Sequence, residues 1–327
     1  MLTVCCLEVV AEAVTPIALD TYCGSALRGA FFRAIWGRFC TNREAPTCSV
    51  CPLITACPVA ALVAPMRDEP TRGRDAPRPY IISAPYKEPN HYEQGESFTF
   101  SLSLVGKSAK LLPYVLRSFQ KMEQSDFGHP IQELQGRRGR FNIRHVHAYN
   151  PLTRERQVLW DKDNIRPEKL RLSVTLEDVI TYARQFPTDH VTINFLSPTR
   201  LIGEKQLFNQ PDFQMLMLRL YERLDHLRRE YGEYPESQSD KADMSFREYT
   251  LVRALSKEVR LTRDETRWVD IKSYSARQQR TMPIGGFVGR ASFEGDITHL
   301  RELLVWGEVL HVGKNAVKGG GLYRIEA

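Results

Sequence analysis

The sequence predicts an α+β protein built from two tandem ferredoxin-like (RRM-like) halves, with a four-cysteine module inserted in the first and a glycine-rich loop closing the second. Three observations carry this. Segments of strand and helix period follow one another in the same order twice, over residues 1–165 and 186–327. Cysteines at 40, 48, 51 and 57 interrupt the first series. The second series ends in residues 313–321, which hold Gly313, Gly319, Gly320 and Gly321.

A chain of 327 residues is long enough for two cores. Its 42% apolar and 26% charged residues describe an ordinary globular protein, and its net charge of +6 favours a polyanionic partner. No apolar run approaches the ~20 residues of a membrane helix, so no membrane partner is expected. Leu2 to Val10 lacks the basic start of a signal peptide. The expected location is the cytoplasm, where the seven cysteines stay reduced or bind metal.

Leu2 to Val10 reads as a buried strand. Asp20 or Thr21 is placed to cap a helix from about Tyr22 to Gly37, with Leu27, Ala30, Phe31, Ala34 and Ile35 facing the core. The series Cys40-x7-Cys48-x2-Cys51-x5-Cys57 then reads as a ligand set rather than two disulfides. Structural zinc is the first expectation. An iron–sulfur cluster is the second, because prolines follow Cys51 and Cys57 as they do in cluster loops. Cys5, Cys6 and Cys23 read as core thiols.

Val63 to Pro79 reads as a solvated connection of prolines and mixed charges. Phe98 to Val105 alternates as a strand, and Leu112, Val115, Leu116, Phe119 and Met122 mark one face of a helix. Between Gly128 and Tyr149 lie Arg137, Arg138, Arg140 and Arg144, with His129, His145 and His147. Guanidinium forks suit phosphates, so this run is a candidate RNA contact. Asn150 to Trp160 reads as a further strand or hairpin, and Asp161 to Arg184 as a linker with a short helix.

In the second half, Val191 to Phe195 reads as a strand. A helical stripe follows at Phe213, Leu216, Met217, Leu220, Leu224 and Leu227. A helix is expected over Ser245 to Val259, strands over Arg267 to Tyr274 and Ile284 to Phe293, and a last helix from Asp296 to Leu304, capped by Asp296. Gly285 and Gly286 mark a bulge or a close backbone approach. From Trp306 a short apolar strand is expected to run into the glycine loop, whose N–H groups, with Lys314 and Lys318, would cradle phosphate oxygens. Too few residues follow for the helix of a nucleotide P-loop, so an RNA backbone is the better phosphate.

The stretch Tyr274-Ser275-x-Arg277-Gln278-x3-Met282-x2-Gly285-Gly286-Phe287-x-Gly289, followed by His311-Val312-Gly313-Lys314 and by Gly319, Gly321 and Tyr323, resembles the end of the CRISPR-associated RAMP endoribonucleases that process precursor CRISPR RNA (the Cas-six-type family). Leu27-Arg28-Gly29-Ala30 resembles the first-helix signature of that family. Asn315 stands where the family has glycine and Lys318 where it has an aromatic residue.

The resemblance implies a metal-independent endoribonuclease that cuts CRISPR repeat RNA by internal transfer, leaving a 5′-hydroxyl and a 2′,3′-cyclic phosphate. It also implies other CRISPR effector subunits as partners. Such a reaction needs proton carriers and cations, with no cofactor for catalysis. The first-helix histidine of many relatives is missing, since no histidine precedes His91. The proton carrier expected here is therefore His311, with Tyr22 orienting or protonating and Lys314 neutralising charge. RNA contacts are expected at Arg28, Arg137, Arg138, Arg140, Arg277, Arg280, Gly313, Lys318, Gly319, Gly320, Gly321 and Tyr323. The missing histidine keeps open a second expectation, a non-catalytic RAMP-type subunit that carries guide RNA.

Overall fold

A computed structural model describes residues 1–67, 75–84, 86, 90–161, 164–166, 170–233, 241–275 and 279–326, with the side chains of 241–245, 274 and 275 left aside. The chain divides into two compact units, one of residues 2–173 with 230–232, the other of residue 1, 174–229 and 233–327.

The N-terminal unit runs β1 (Val4–Ala13), β2 (Ile17–Ala18), α1 (Gly24–Phe39), α2 (Pro58–Val63), β3 (Tyr80–Ser83), β4 (His91–Tyr92), β5 (Ser97–Val105), α3 (Leu112–Glu123), β6 (Phe127–Pro130), β7 (Arg138–Gly139), β8 (Phe141–Tyr149), β9 (Arg156–Asp161) and β10 (Asn164–Ile165). Its main sheet has the order β10-β9-β8-β1-β5-β3, and neighbouring strands pair antiparallel. Within it, β8-β1-β5-β3 is the strand order of a ferredoxin-like βαββαβ unit, as expected. Helices α1 and α3 close the core: Phe31 meets Tyr80 and Phe119 at ring centroids 5.4 and 6.4 Å apart. The expected α1 face of Leu27, Ala30, Phe31, Ala34 and Ile35 is buried, as is the α3 face from Leu112 to Met122.

The C-terminal unit runs α4 (Leu176–Ala183), β11 (His190–Thr199), β12 (Leu201–Gly203), β13 (Gln206–Phe208), α5 (Phe213–Tyr231), α6 (Lys241–Lys257), β14 (Arg260–Val269), β15 (Lys272–Ser275), β16 (Arg280–Pro283), β17 (Gly286–Glu294), α7 (Arg301–Leu310) and β18 (Tyr323–Glu326). The sheet order β14-β17-β11-β18 repeats the ferredoxin-like arrangement, again antiparallel. Phe195 packs on Phe287 and Tyr323 at its centre.

Three expectations are corrected. The last helix is Arg301–Leu310, not Asp296–Leu304, and no strand runs from Trp306 to the glycine loop. Asp296 accepts the Thr298 N–H in a turn ahead of the helix. Leu303 to Leu310 are all buried, the charged Glu308 among them, so the polar residues of this stretch do not mark its solvent face. Strand β14 begins at Arg260 rather than Arg267, because its charged outer half lies exposed at the sheet edge. Neither Asp20 nor Thr21 caps α1: the N-cap is Cys23, without a side-chain hydrogen bond.

Candidate functional site

The glycine-rich ending is an internally bonded knot. Several of its main-chain donors already have carbonyl acceptors: Lys314 N–H meets Arg200 O at 3.0 Å, Gly320 meets Asn315 O at 3.2 Å, and Gly321 meets Pro198 O at 3.1 Å. Lys318 and Gly319 N–H bond to Asn315 and Ala316. Gly319, Gly320 and Gly321 are buried with their N–H groups bonded, so these three offer no open donors to the expected phosphate cradle. The glycines serve close packing instead. A Cβ on Gly321, at φ +70°, would lie 1.9 Å from Val312 O, and one on Gly313, at φ +75°, would lie 2.4 Å from Arg200 O. Asn315 takes the left-handed conformation at φ 66°. Tyr323 is likewise no RNA contact, since it is fully buried and its hydroxyl donates to Leu304 O at 2.6 Å.

His311 ends α7 at φ 59°, and its N–H donates to Gly307 O at 2.8 Å. Only 5% exposed, it keeps its Nδ1 buried without a hydrogen-bond partner. Burial, then the cations of Arg223 and Arg324, pushes its pKa down to about 3, although its ring lies by the Gly319 and Gly320 backbone. The Arg223 guanidinium donates from Nε to Leu310 O at 2.7 Å, closing the helix end. A neutral imidazole walled in this way anchors the loop and is out of reach of a substrate proton. The expectation that His311 carries the reacting proton is therefore corrected. Lys314, by contrast, is exposed and Lys318 half-buried.

Tyr22 is 2% exposed, and burial holds its hydroxyl well above the ordinary tyrosine range. It sits in the α1 core and offers no accessible proton. Arg28 is half-buried on α1, while Arg137, Arg138 and Arg140 are all exposed. Arg280 is exposed on β16. Arg277 lies outside the described residues. Arg28, Arg137, Arg138 and Arg140 belong to the N-terminal unit, and Arg280, Lys314 and Lys318 to the C-terminal unit.

The β6–β7 hairpin brings together what the sequence did not. Phe127 is buried against Phe98 and Phe141, at centroids 6.5 and 5.3 Å. At Gly128, φ +86°, a Cβ would lie 2.4 Å from Ala18 O, and at Gly139 one would lie 2.2 Å from Pro16 O. These two glycines therefore permit the hairpin to press onto residues 16–18. His129 is thereby carried to Asp20, whose backbone carbonyl accepts Asn90 Nδ2 at 2.9 Å. The His129 Nε2 to Asp20 Oδ1 distance is 2.9 Å. The Arg138 guanidinium donates to Gly128 O at 3.1 Å beside it.

The four cysteines of 40–57 are half-buried, and no residue between them is buried. Cys40 Sγ donates to Asn42 O at 3.4 Å, and Asn42 Nδ2 donates to Cys51 Sγ at 3.7 Å. Burial, then the proximity of Cys57, Cys40 and Cys51, holds the Cys48 thiol above its usual range. Among the described residues no three such ligands stand in coordinating positions.

Two successive ferredoxin-like units, the second closed by a glycine-rich loop, define a RAMP-type protein. Residues 2–172 match a family model described as an N-terminal domain, and residues 193–323 match the CRISPR-associated endoribonuclease Cas6 model. The chain belongs to the Cas6-type CRISPR RAMP proteins. No curated protein matches it. A Cas6 product complex is 16% identical over 98% of this chain and 100% of its own, with a TM-score of 0.55. Thermus thermophilus Cas6 is 14% identical over 100% of this chain and 99% of its own, at a TM-score of 0.52. A partial Cas6-RT-Cas1–Cas2 complex is 11% identical over all of this chain and 46% of its own, at 0.56. These likenesses establish the fold. No helix among the described residues is long and apolar enough to cross a membrane.

Proposed function

We propose that the chain cuts precursor CRISPR RNA within its repeats, without a metal, by attack of a ribose 2′-hydroxyl on the adjacent phosphorus. The products are a 5′-hydroxyl and a 2′,3′-cyclic phosphate. The match of the C-terminal unit to the Cas6 endoribonuclease family is the observation that carries this reading. The exposed Arg137, Arg138 and Arg140 supply phosphate contacts in the N-terminal unit, and Lys314 and Lys318 supply charge in the other. Incubating the protein with its cognate repeat RNA in EDTA tests it: cleavage to cyclic-phosphate ends is the expected result. Loss of cleavage in chelator, or 3′-hydroxyl ends, contradicts it.

A non-catalytic RNA-binding subunit of a CRISPR effector is the second reading, favoured by the burial of His311 and Tyr22. Tight binding without cleavage would establish it. In either role the partners are CRISPR repeat RNA and other CRISPR proteins, in the cytoplasm. Cys40, Cys48, Cys51 and Cys57 are assigned one structural metal, zinc or alternatively an iron–sulfur cluster. The donor set fits a soft cation, and a loop without buried residues has need of a centre. To converge on a metal, Cys40 and Cys51 would have to leave their hydrogen bonds to Asn42. Metal analysis of protein purified without oxidation should give about one zinc, or iron with colour. Metal-free protein with four reactive thiols contradicts it.

A further inference from the structure

The N-terminal unit holds a histidine–carboxylate pair that the sequence did not assign. His129 Nε2 and Asp20 Oδ1 are 2.9 Å apart, with side chains 54% and 59% exposed. A carboxylate only accepts, so Nε2 carries the proton in the neutral ring and Nδ1 keeps the lone pair. An exposed ion pair of this kind adds little to stability. Yet both partners are positioned by features that cannot easily change. Phe127 is buried one position before the left-handed Gly128, Gly128 and Gly139 lie against residues 16–18, and Asn90 holds the Asp20 main chain. Arg138 donates to the carbonyl of Gly128, and Arg137 and Arg140 stand exposed on the same hairpin. An oriented imidazole, with the Arg138 guanidinium bonded to the carbonyl of the residue before it, suits a phosphodiester whose neighbouring hydroxyl must lose a proton.

We propose that His129, oriented by Asp20, is the general base of the RNA cleavage. The inference rests on the endonuclease reading above. The 2′-hydroxyl gives its proton to Nδ1, and O2′ bonds to phosphorus as the P–O5′ bond breaks. The 5′-oxygen leaves with a proton from solvent, and the imidazolium returns its own proton to water. Asp20 is a positioning residue, holding the tautomer through Nε2.

Single-turnover cleavage of cognate repeat RNA in EDTA tests this, with RNA affinity measured alongside. His129→Ala and His129→Gln should slow cleavage about 10²–10⁴-fold and leave affinity within about threefold. Asp20→Asn should slow it less than the His129 changes do, and Asp20→Glu, which keeps a carboxylate acceptor, should recover part of that loss. The control is His190→Ala, at the exposed His190–Asp189 pair of 2.8 Å in the other unit, which should cleave at the unmodified rate. Unmodified rates in both His129 variants would overturn the assignment and leave the endonuclease reading standing. Binding without cleavage by the unmodified protein would overturn that reading, and this inference with it.

Discussion

The closing loop, residues 311–321, and the β6–β7 hairpin both combine glycines, cations and a histidine, but they turn them in opposite directions. In the loop the histidine is 5% exposed, and Gly313 and Gly321 lie against the backbone of Arg200 and Val312. In the hairpin the glycines make an equally close approach, to residues 16–18, yet the histidine beyond Gly128 is 54% exposed and paired. The difference teaches that a glycine at positive φ reports a close approach without saying to what. The neighbouring side chain decides: buried Phe127 fixes the hairpin from below and leaves His129 outside, whereas buried Val312 and Ala316 draw the loop inward.

The largest expected effect comes from Gly321→Val. Its branched side chain would face a carbonyl 1.9 Å from its Cβ at φ +70°, which predicts a loss of about 3 kcal/mol or more in stability. Denaturant unfolding would measure it. A loss under about 1 kcal/mol would mean that the loop is loose and free to open as a cradle.

Next in size is the double variant Arg138→Glu, Arg140→Glu. If these cations meet RNA phosphates, the salt slope of binding should fall by about 1.4, at about 0.7 per contact on a single strand. An unchanged slope would leave them as solvated charge and weaken the hairpin's side of the comparison.

A smaller effect separates the two histidines by stability. The pKa of His311 is depressed in the folded state, to about 3 from an ordinary value of 6.5. Between these values the unfolded chain binds the extra proton, so the stability from the neutral imidazole is complete above about pH 6.5 and falls as pH drops toward 3. His311→Gln should flatten that part of the stability–pH curve measured by urea unfolding. An unaltered curve would show that His311 titrates freely, which burial forbids. His129→Gln, at an exposed pair, should cost little stability in the same measurement.

Much of the fold was legible from the sequence. The two βαββαβ orders and the core faces of α1, α3 and α5 follow from hydrophobic period alone. Element bounds were missed where burial was complete, as over Leu303–Leu310, or nearly absent, as along the charged start of β14. The site was harder to read. Tyr22 and His311 looked chemical because of their neighbours in sequence, and both proved to be core residues. The Asp20–His129 pair spans 109 positions and is brought together by the packing of the β6–β7 hairpin on residues 16–18. One clue was present: Phe127-Gly128-His129 sets an anchor and a left-handed residue just before an exposed histidine.

The most direct measurement is the single-turnover cleavage rate of the unmodified protein, His129→Gln and His311→Gln, in EDTA. His311→Gln, once shown to be folded, should cleave at close to the unmodified rate, while His129→Gln should lose about 10²–10⁴-fold. The reverse pattern, a rate lost with His311 and kept without His129, would contradict the assignment of the general base to His129.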